Sequence, residues 1–372
     1  MSTRAPEGLA AELLEILERA VADGITPSAS CAVVVGGRPL PVFTAGEASP
    51  TTYFDLASVT KVFTAVTALA LVDAGILSLD DPAATWLEPY ARGAKSGVTL
   101  RHLLTHTSGL PGTWGGWRTA LAQGHGFNRA ALLEDLLSMD LAAPPGTRFE
   151  YSCVGYNSVM AMAERATGRP WAQVVGDHVL APAARLHPDT AVAELTGAPD
   201  PARCAPTEFQ PEYGRGMVRG VVHDEAAWSL GGLCGNAGMF GTAAALAGFG
   251  ELVRNGLPGI LSPVLAAEMW HDQLPLVLAG QLESGGPGYG HGLGLRIGQE
   301  SWMGNHPKGR GHNGFTGTSL LMDREAGITA VLLTNRVHPS RTLSDVTELR
   351  RTVSDAVYAA ASPGRPHHVP RL

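Results

Sequence analysis

The chain has 372 residues, 45% of them hydrophobic and 16% charged, which suits one large globular domain or two closely packed ones. A net charge of −7 argues against nucleic acid as the main partner, because phosphate recognition needs a basic surface, and no apolar run approaches a membrane span. The 4 cysteines, Cys31, Cys153, Cys204 and Cys234, stand far apart with no C-x-x-C, so free thiols are expected rather than a zinc site or a disulfide framework.

Leu9, Leu13, Leu14, Ile16 and Leu17, interleaved with Glu12, Glu15 and Glu18, predict an amphipathic first helix rather than a signal peptide, and hence a cytoplasmic protein. Residues 29–35 and 41–45 are short apolar runs around Gly36-Gly37-Arg38, a hairpin signal. The run VFTAVTALALV over residues 62–72, closed by Asp73-Ala74-Gly75, predicts a buried helix with a glycine stop. Asp80-Asp81-Pro82 then opens a middle section rich in Pro, Gly and aromatic residues. Helices are expected there over 132–137, 159–167 and 243–255. Strand patterns return over 292–297, 317–323 and 328–335, followed by a closing helix over 348–361 and an unstructured tail over 363–372, whose His367-His368 pair reads as incidental.

Strands from both ends of the chain most economically form one antiparallel sheet with the terminal helices on one face. The expected class is therefore α/β (α+β), with a mainly helical subdomain inserted in the middle.

Ser58 and Lys61 stand three residues apart at the head of the buried helix, so they share a face, with the serine beside the unpaired N–H groups of a helix start. Such a serine can simply be a cap. Lys61 lies inside an apolar stretch, however, where an ammonium needs a partner or a task. No serine sits in G-x-S-x-G, and no Gly-Lys dipeptide occurs, which closes the hydrolase-elbow and P-loop routes. His102 and His106 have i,i+4 spacing but lack the glutamate of H-E-x-x-H, so helix-end hydrogen bonding is the expected role. Tyr151 precedes a predicted helix, and Gly311-His312-Asn313-Gly314 stands at the start of a predicted strand. Taken alone, these read as a core tyrosine and a tight turn, or as parts of a site.

Four segments decide between those readings: FDLASVTKVFTA around Ser58, VTLRHLLTHTSGLP from Val98, PPGTRFEYSCVGYN from Pro144 and GHNGFTGTSLLMD from Gly311. In this order and spacing the chain resembles the serine β-lactamase and penicillin-binding-protein-like superfamily, on its class C side, over roughly residues 9–361. VHDEAAWSLGGLCGNAGMFGTAA from Val222 and LLTNRVHPSR from Leu332 resemble its cell-wall-related branch. The resemblance implies a single domain over 9–361. An α/β subdomain would cover about 1–85 and 286–372, and a helical one about 86–285. It implies Ser58 as the nucleophile that forms an acyl-enzyme, Lys61 as its partner, and Tyr151 as the group that takes the serine proton and later activates water. His312, Asn313 and Gly314 match the third motif, and the N–H groups of Ser58 and Phe315 would form the oxyanion hole. No metal or organic cofactor is required.

Two positions depart from the family pattern. Cys153 stands where an asparagine amide helps hold the acyl side chain of a drug, and a thiol is a weak hydrogen-bond partner. His312 replaces a lysine, leaving a group expected to be only partly cationic near neutral pH. Both departures point to an esterase, or an amidase or peptidase on D-amino-acid or muropeptide substrates, and at most weak β-lactam turnover. An acyl transferase with the same three residues, or a slowly deacylating penicillin-binding or sensing module, stays open. The partner implied is a small ester, amide or peptide, with neither nucleic acid nor membrane. Asn236 and the His223-Asp224 pair are expected to pin loops more than to line the pocket. Trp114 and Trp117 are expected either to wall the substrate or simply to pack.

Overall fold

A computed structural model describes residues 6–124, 126–188, 190–278 and 287–361; the expected tail and its histidine pair lie outside them. Helix α1 (Pro6–Ala22) leads into β1 (Ser28–Val35). Gly36 and Gly37, with φ of 58° and 76°, take the left-handed turn that glycine tolerates best. The chain then reverses into β2 (Arg38–Pro39) and β3 (Phe43–Gly46). Short strand β4 (Phe54–Asp55) pairs with β7 (Phe240–Gly241), and β5 (Phe209–Gln210) pairs with β6 (Gly216–Met217). The last strands are β8 (Gly290–His291), β9 (Arg296–Ile297), β10 (Arg310–Asn313), β11 (Ser319–Asp323) and β12 (Ile328–Thr334).

One antiparallel sheet of 8 strands runs β2-β1-β12-β11-β10-β9-β8, with β3 also on β1. The N- and C-terminal parts of the chain meet within this sheet, where β1 and β12 pair from Ala29↔Thr334 to Val35↔Ile328. Successive side chains of a strand point to opposite faces, and these strands are buried on both. Cys31, Val33, Leu321, Ala330 and Leu332 pack with Leu13 and Leu17 of α1 and with Val353 and Val357 of the closing helix Thr347–Ala361. Ala32, Leu320, Met322, Val331 and Leu333 face the other way, into the core that holds α2 (Thr60–Asp73) and the helix Ala243–Arg254. Both terminal helices thus lie on one face, as the pattern predicts.

Between the sheet's two halves the chain is mainly helical, including α3 (Leu100–Leu104), α4 (Gly116–Gln123), α5 (Arg129–Ser138) and α6 (Cys153–Thr167). Helix α2 is buried on all sides from Thr60 to Leu71, as expected of a helix that is apolar all round. Three expectations change. Helix α6 begins six residues before the predicted start, because Ser152 caps it by accepting the Gly155 N–H at 2.9 Å, a standard N-cap bond. The expected strand over 292–297 is a hairpin of two two-residue strands, β8 and β9, paired Gly290↔Ile297 and His291↔Arg296. Finally, His312 and Asn313 end β10 instead of starting a strand, and β10 lies between β9 and β11.

Candidate active site

Ser58 sits in a single tight turn, Ala57–Val59, that runs directly into α2. Ala57 has φ +46°, a left-handed conformation costly for a residue with a Cβ and typically kept where surrounding contacts enforce it. Those contacts are visible. The Ala57 N–H donates to Asp55 Oδ1 at 2.8 Å, and Asp55 Oδ2 accepts the His223 N–H at 2.6 Å. The Thr316 and Thr318 hydroxyls donate to the carbonyls of Asp55 and Leu56 at 2.7 and 2.9 Å. The serine turn is thereby fixed to the loop after β10.

One turn into α2, Lys61 is fully buried. Its Nζ donates to Ser58 Oγ at 3.1 Å, to the Asn236 carbonyl at 3.0 Å and to Cys153 Sγ at 3.5 Å. Burial works against the ammonium, but Cys153 and Tyr151 beside it outweigh that and hold its pKa above the usual lysine value. The Tyr151 ring centroid lies 5.0 Å from Lys61 Nζ. Tyr151 comes from the extended segment that enters α6 and Cys153 is the first residue of that helix, so the cap at Ser152 places both. Ser152 is itself anchored, donating its N–H to His106 Nδ1 at 3.0 Å and its hydroxyl to the Pro111 carbonyl at 2.7 Å.

Across from this group, Gly314 closes against the serine turn. A Cβ there would lie 2.6 Å from the Leu56 carbonyl oxygen and 3.1 Å from Ala57 Cβ, an approach only glycine permits. The next residue, Phe315, turns its side chain to solvent and, with Ser58, lines the cleft. The Phe315 N–H donates to no protein acceptor among the described residues.

His312 differs from the expectation. Its imidazole has no solvent exposure and does not line the cleft, and its pKa is pushed well below the ordinary value, chiefly by burial and then by the Arg296 charge. Nδ1 faces the Asn313 carbonyl at 2.8 Å, so it carries the proton and the ring is neutral. The expected partial cation is therefore absent at this position. Burial likewise depresses His106 and His291, the latter to about 3. His106 packs on the Tyr151, Tyr156 and His291 rings at 4.5, 5.0 and 5.1 Å. His102 takes the helix-end role, forming a reciprocal cap with Thr99 at the start of α3.

The cleft of about 360 Å³ in front of Ser58 is lined by Trp114, Trp117, Tyr151, Cys153, Asn236 and Phe315 among others. The two tryptophans thus both wall the cleft and pack: Trp114 Nε1 donates to Asp135 Oδ2 at 2.7 Å, and Trp117 stacks edge-on against Tyr213. Asn236 lines the cleft and also pins it, through its carbonyl on Lys61 and its N–H to Asn157 Oδ1 at 3.1 Å. His223 and Asp224 do the same, His223 Nε2 meeting Glu208 at 2.9 Å and Asp224 capping the Ala227 N–H at 2.8 Å. Arg296 escaped sequence reasoning. Its guanidinium lies 4.8 Å from the Tyr151 ring centroid, and the available signal was a lone charge in the apolar stretch GLGLRIG.

The sequence profile of the family named Beta-lactamase matches residues 14–353. Esterase EstB of Burkholderia gladioli is 32% identical over 341 residues, covering 83% of this chain and 82% of the esterase. The N-acetylmuramyl-L-alanine amidase of Bacillus subtilis (strain 168) is 28% identical, covering 77% of this chain and 68% of the amidase. The solved structure of EstCE1, described as a hydrolase with promiscuous acyltransferase activity, superposes with a TM-score of 0.72 at 24% identity. It covers 95% of this chain and 99% of EstCE1, a likeness of fold.

Proposed function

The chain belongs to the Beta-lactamase family and is a serine hydrolase, and from that premise we propose that Ser58, Lys61 and Tyr151 carry out acyl transfer to water on a carboxylic ester. The observation that supports this most directly is the bond from buried Lys61 Nζ to Ser58 Oγ at 3.1 Å, at the wall of an open cleft. Tyr151, as the phenolate that the lysine ammonium stabilises, takes the Ser58 proton and becomes a neutral phenol as Oγ adds to the substrate carbonyl. The tetrahedral oxyanion is held by the Ser58 and Phe315 N–H groups, each such donor being worth about two to three orders of magnitude in rate. Collapse expels the alcohol, which takes the proton back from Tyr151. Water then repeats the sequence on the acyl-enzyme, releasing the acid and freeing Ser58.

Ester is favoured over a D-alanyl peptide because the third-motif position offers such a peptide's carboxylate no cation, His312 being neutral and out of the cleft. Arg341 at the cleft wall is already paired with Glu208 and Glu225, and Arg118 lies over the Trp117 ring. Cys153 bears on the same choice. Its thiol is spent on Lys61, so it offers a substrate amide little. The ester named in the EstB relative agrees with this reading.

Nitrophenyl acetate turnover and fluorophosphonate labelling, read by mass spectrometry, test the proposal. Both are expected in the wild type and neither in Ser58→Ala; labelling that survives the substitution removes Ser58 as the nucleophile. A D-alanyl-D-alanine peptide cleaved faster than the ester at equal concentration overturns the ester preference.

A further inference from the structure

We propose that Arg296 provides the second positive charge of the site, stabilising the phenolate form of Tyr151 that takes the Ser58 proton. This rests on the reading of Tyr151 as the base. Position 312 holds a neutral imidazole, so the cation expected from β10 is missing. On the adjacent strand, Arg296 of β9 pairs with Gly311, one residue before His312. Its guanidinium carbon stands 4.8 Å from the Tyr151 ring centroid and 6.0 Å from that of Tyr289.

The arginine is held where it is. Nη1 donates to Gln299 Oε1 at 2.8 Å, an oxygen that also accepts the Trp302 Nε1–H at 2.6 Å. Among the described residues its Nε is buried without a protein acceptor and no carboxylate forms an ion pair with it. A delocalised guanidinium suits such a stacked, half-buried position better than an ammonium. The charge reaches its surroundings: Arg296 is the largest charge acting on His312, and it acts also on His106, His291, Tyr156 and Tyr289.

Every element packed around Tyr151 contributes a group, and these sort cleanly. Lys61 comes from α2, and Cys153 and Tyr156 from α6. His106 follows α3, Tyr289 precedes β8, Arg296 stands on β9 and His312 on β10. His291 of β8 packs behind His106. The three imidazoles are buried and neutral, so among the described residues Lys61 and Arg296 are the two cations placed against the Tyr151 ring. Lys61 also holds Ser58, Cys153 and the Asn236 carbonyl, whereas Arg296 makes no contact with the nucleophile. It acts through Tyr151 as a positioning and charge-stabilising residue.

The pH dependence of kcat/KM for nitrophenyl acetate reads this out, since a merely structural arginine would not move it. In Arg296→Gln and Arg296→Met the acid limb is expected to move up by about one pH unit, with kcat/KM at pH 7 falling about tenfold. Arg296→Lys, which keeps the charge, is expected to stay within about threefold of wild type. An acid limb unmoved in a folded neutral variant overturns the proposal. If neither neutral variant folds, Arg296→Lys decides: a loss as large as that of Tyr151→Phe overturns it. Tyr151→Phe also separates the two claims. Near-normal rates there remove Tyr151 as the base, while an inactive Tyr151→Phe beside an unmoved Arg296→Gln limb removes only the role of Arg296.

Discussion

Lys61 is an ammonium with no solvent exposure, held by a hydroxyl, a thiol and a carbonyl rather than by a carboxylate. The charges that raise its pKa exist only when the neighbouring thiol or phenol has lost its proton. Neutral acceptors compensate desolvation only in part, so on the proposed mechanism the ammonium is kept at a cost to folding. Lys61→Met fills nearly the same volume without the charge. It is expected to lower kcat/KM for nitrophenyl acetate by about three orders of magnitude or more, while the thermal midpoint stays level or rises. A melt in which the midpoint falls by several degrees contradicts this account. Cys153 sharpens the same point. Its position was legible as a departure from the family pattern, but its partner was not, because sequence cannot show that the first residue of α6 reaches Lys61 across the core.

Elements, more than single residues, decide whether the site closes. The turn after β10 is joined to the serine turn by the Thr316 and Thr318 hydroxyls and held from behind by Arg350, whose Nη2 donates to the Gly314 and Thr318 carbonyls at 2.7 and 3.1 Å. A Cβ on Gly314 would meet Thr318 Oγ1 at 2.3 Å as well as the Leu56 carbonyl. Gly314→Ala must therefore push the Phe315 N–H away from Ser58. A displacement near 1 Å is worth about two orders of magnitude in rate. A fall in kcat of about a hundredfold is expected, together with a loss of about 1–3 kcal/mol in urea unfolding. Wild-type turnover in this variant would show that the turn does not set the oxyanion geometry. At this scale the sequence was informative where pattern is dense. The run from Val62 to Val72 is so uniformly apolar that only a buried helix suits it. The start of α6 was obscured because Cys153-Val154-Gly155-Tyr156-Asn157-Ser158 contains poor helix formers and is helical through its cap and tertiary packing. The β8–β9 hairpin was hidden in the same way, since two-residue strands leave no periodicity to read. His312 is buried on the strand beside that hairpin and feels the Arg296 charge from it, so its neutrality was equally hidden.

Across the whole molecule, three imidazoles are buried neutral behind the site, and this couples folding to pH. His106, His291 and His312 all have pKa values pushed down by burial first, His291 to about 3. An unfolded histidine takes its proton near pH 6.5. When the folded value is depressed, the unfolded state binds more protons as pH falls, so stability is fully present above about 6.5 and is lost on acidification toward the folded values. Each such imidazole adds a slope of about 1.4 kcal/mol per pH unit once the unfolded side chain is protonated, so three approach ~4 kcal/mol per unit near pH 5. Glu208 is depressed as well, its hydrogen bonds to His223 and Arg341 outweighing burial, but a depressed carboxylate acts only below about 4.5, outside this window. Urea unfolding between pH 7.5 and 5 should therefore show a steep loss of stability. His291→Gln keeps a polar side chain at this position but cannot take the proton. Its curve is expected to be shallower than wild type by about one proton, and parallel curves for the two proteins would mean that His291 is already charged in the folded state.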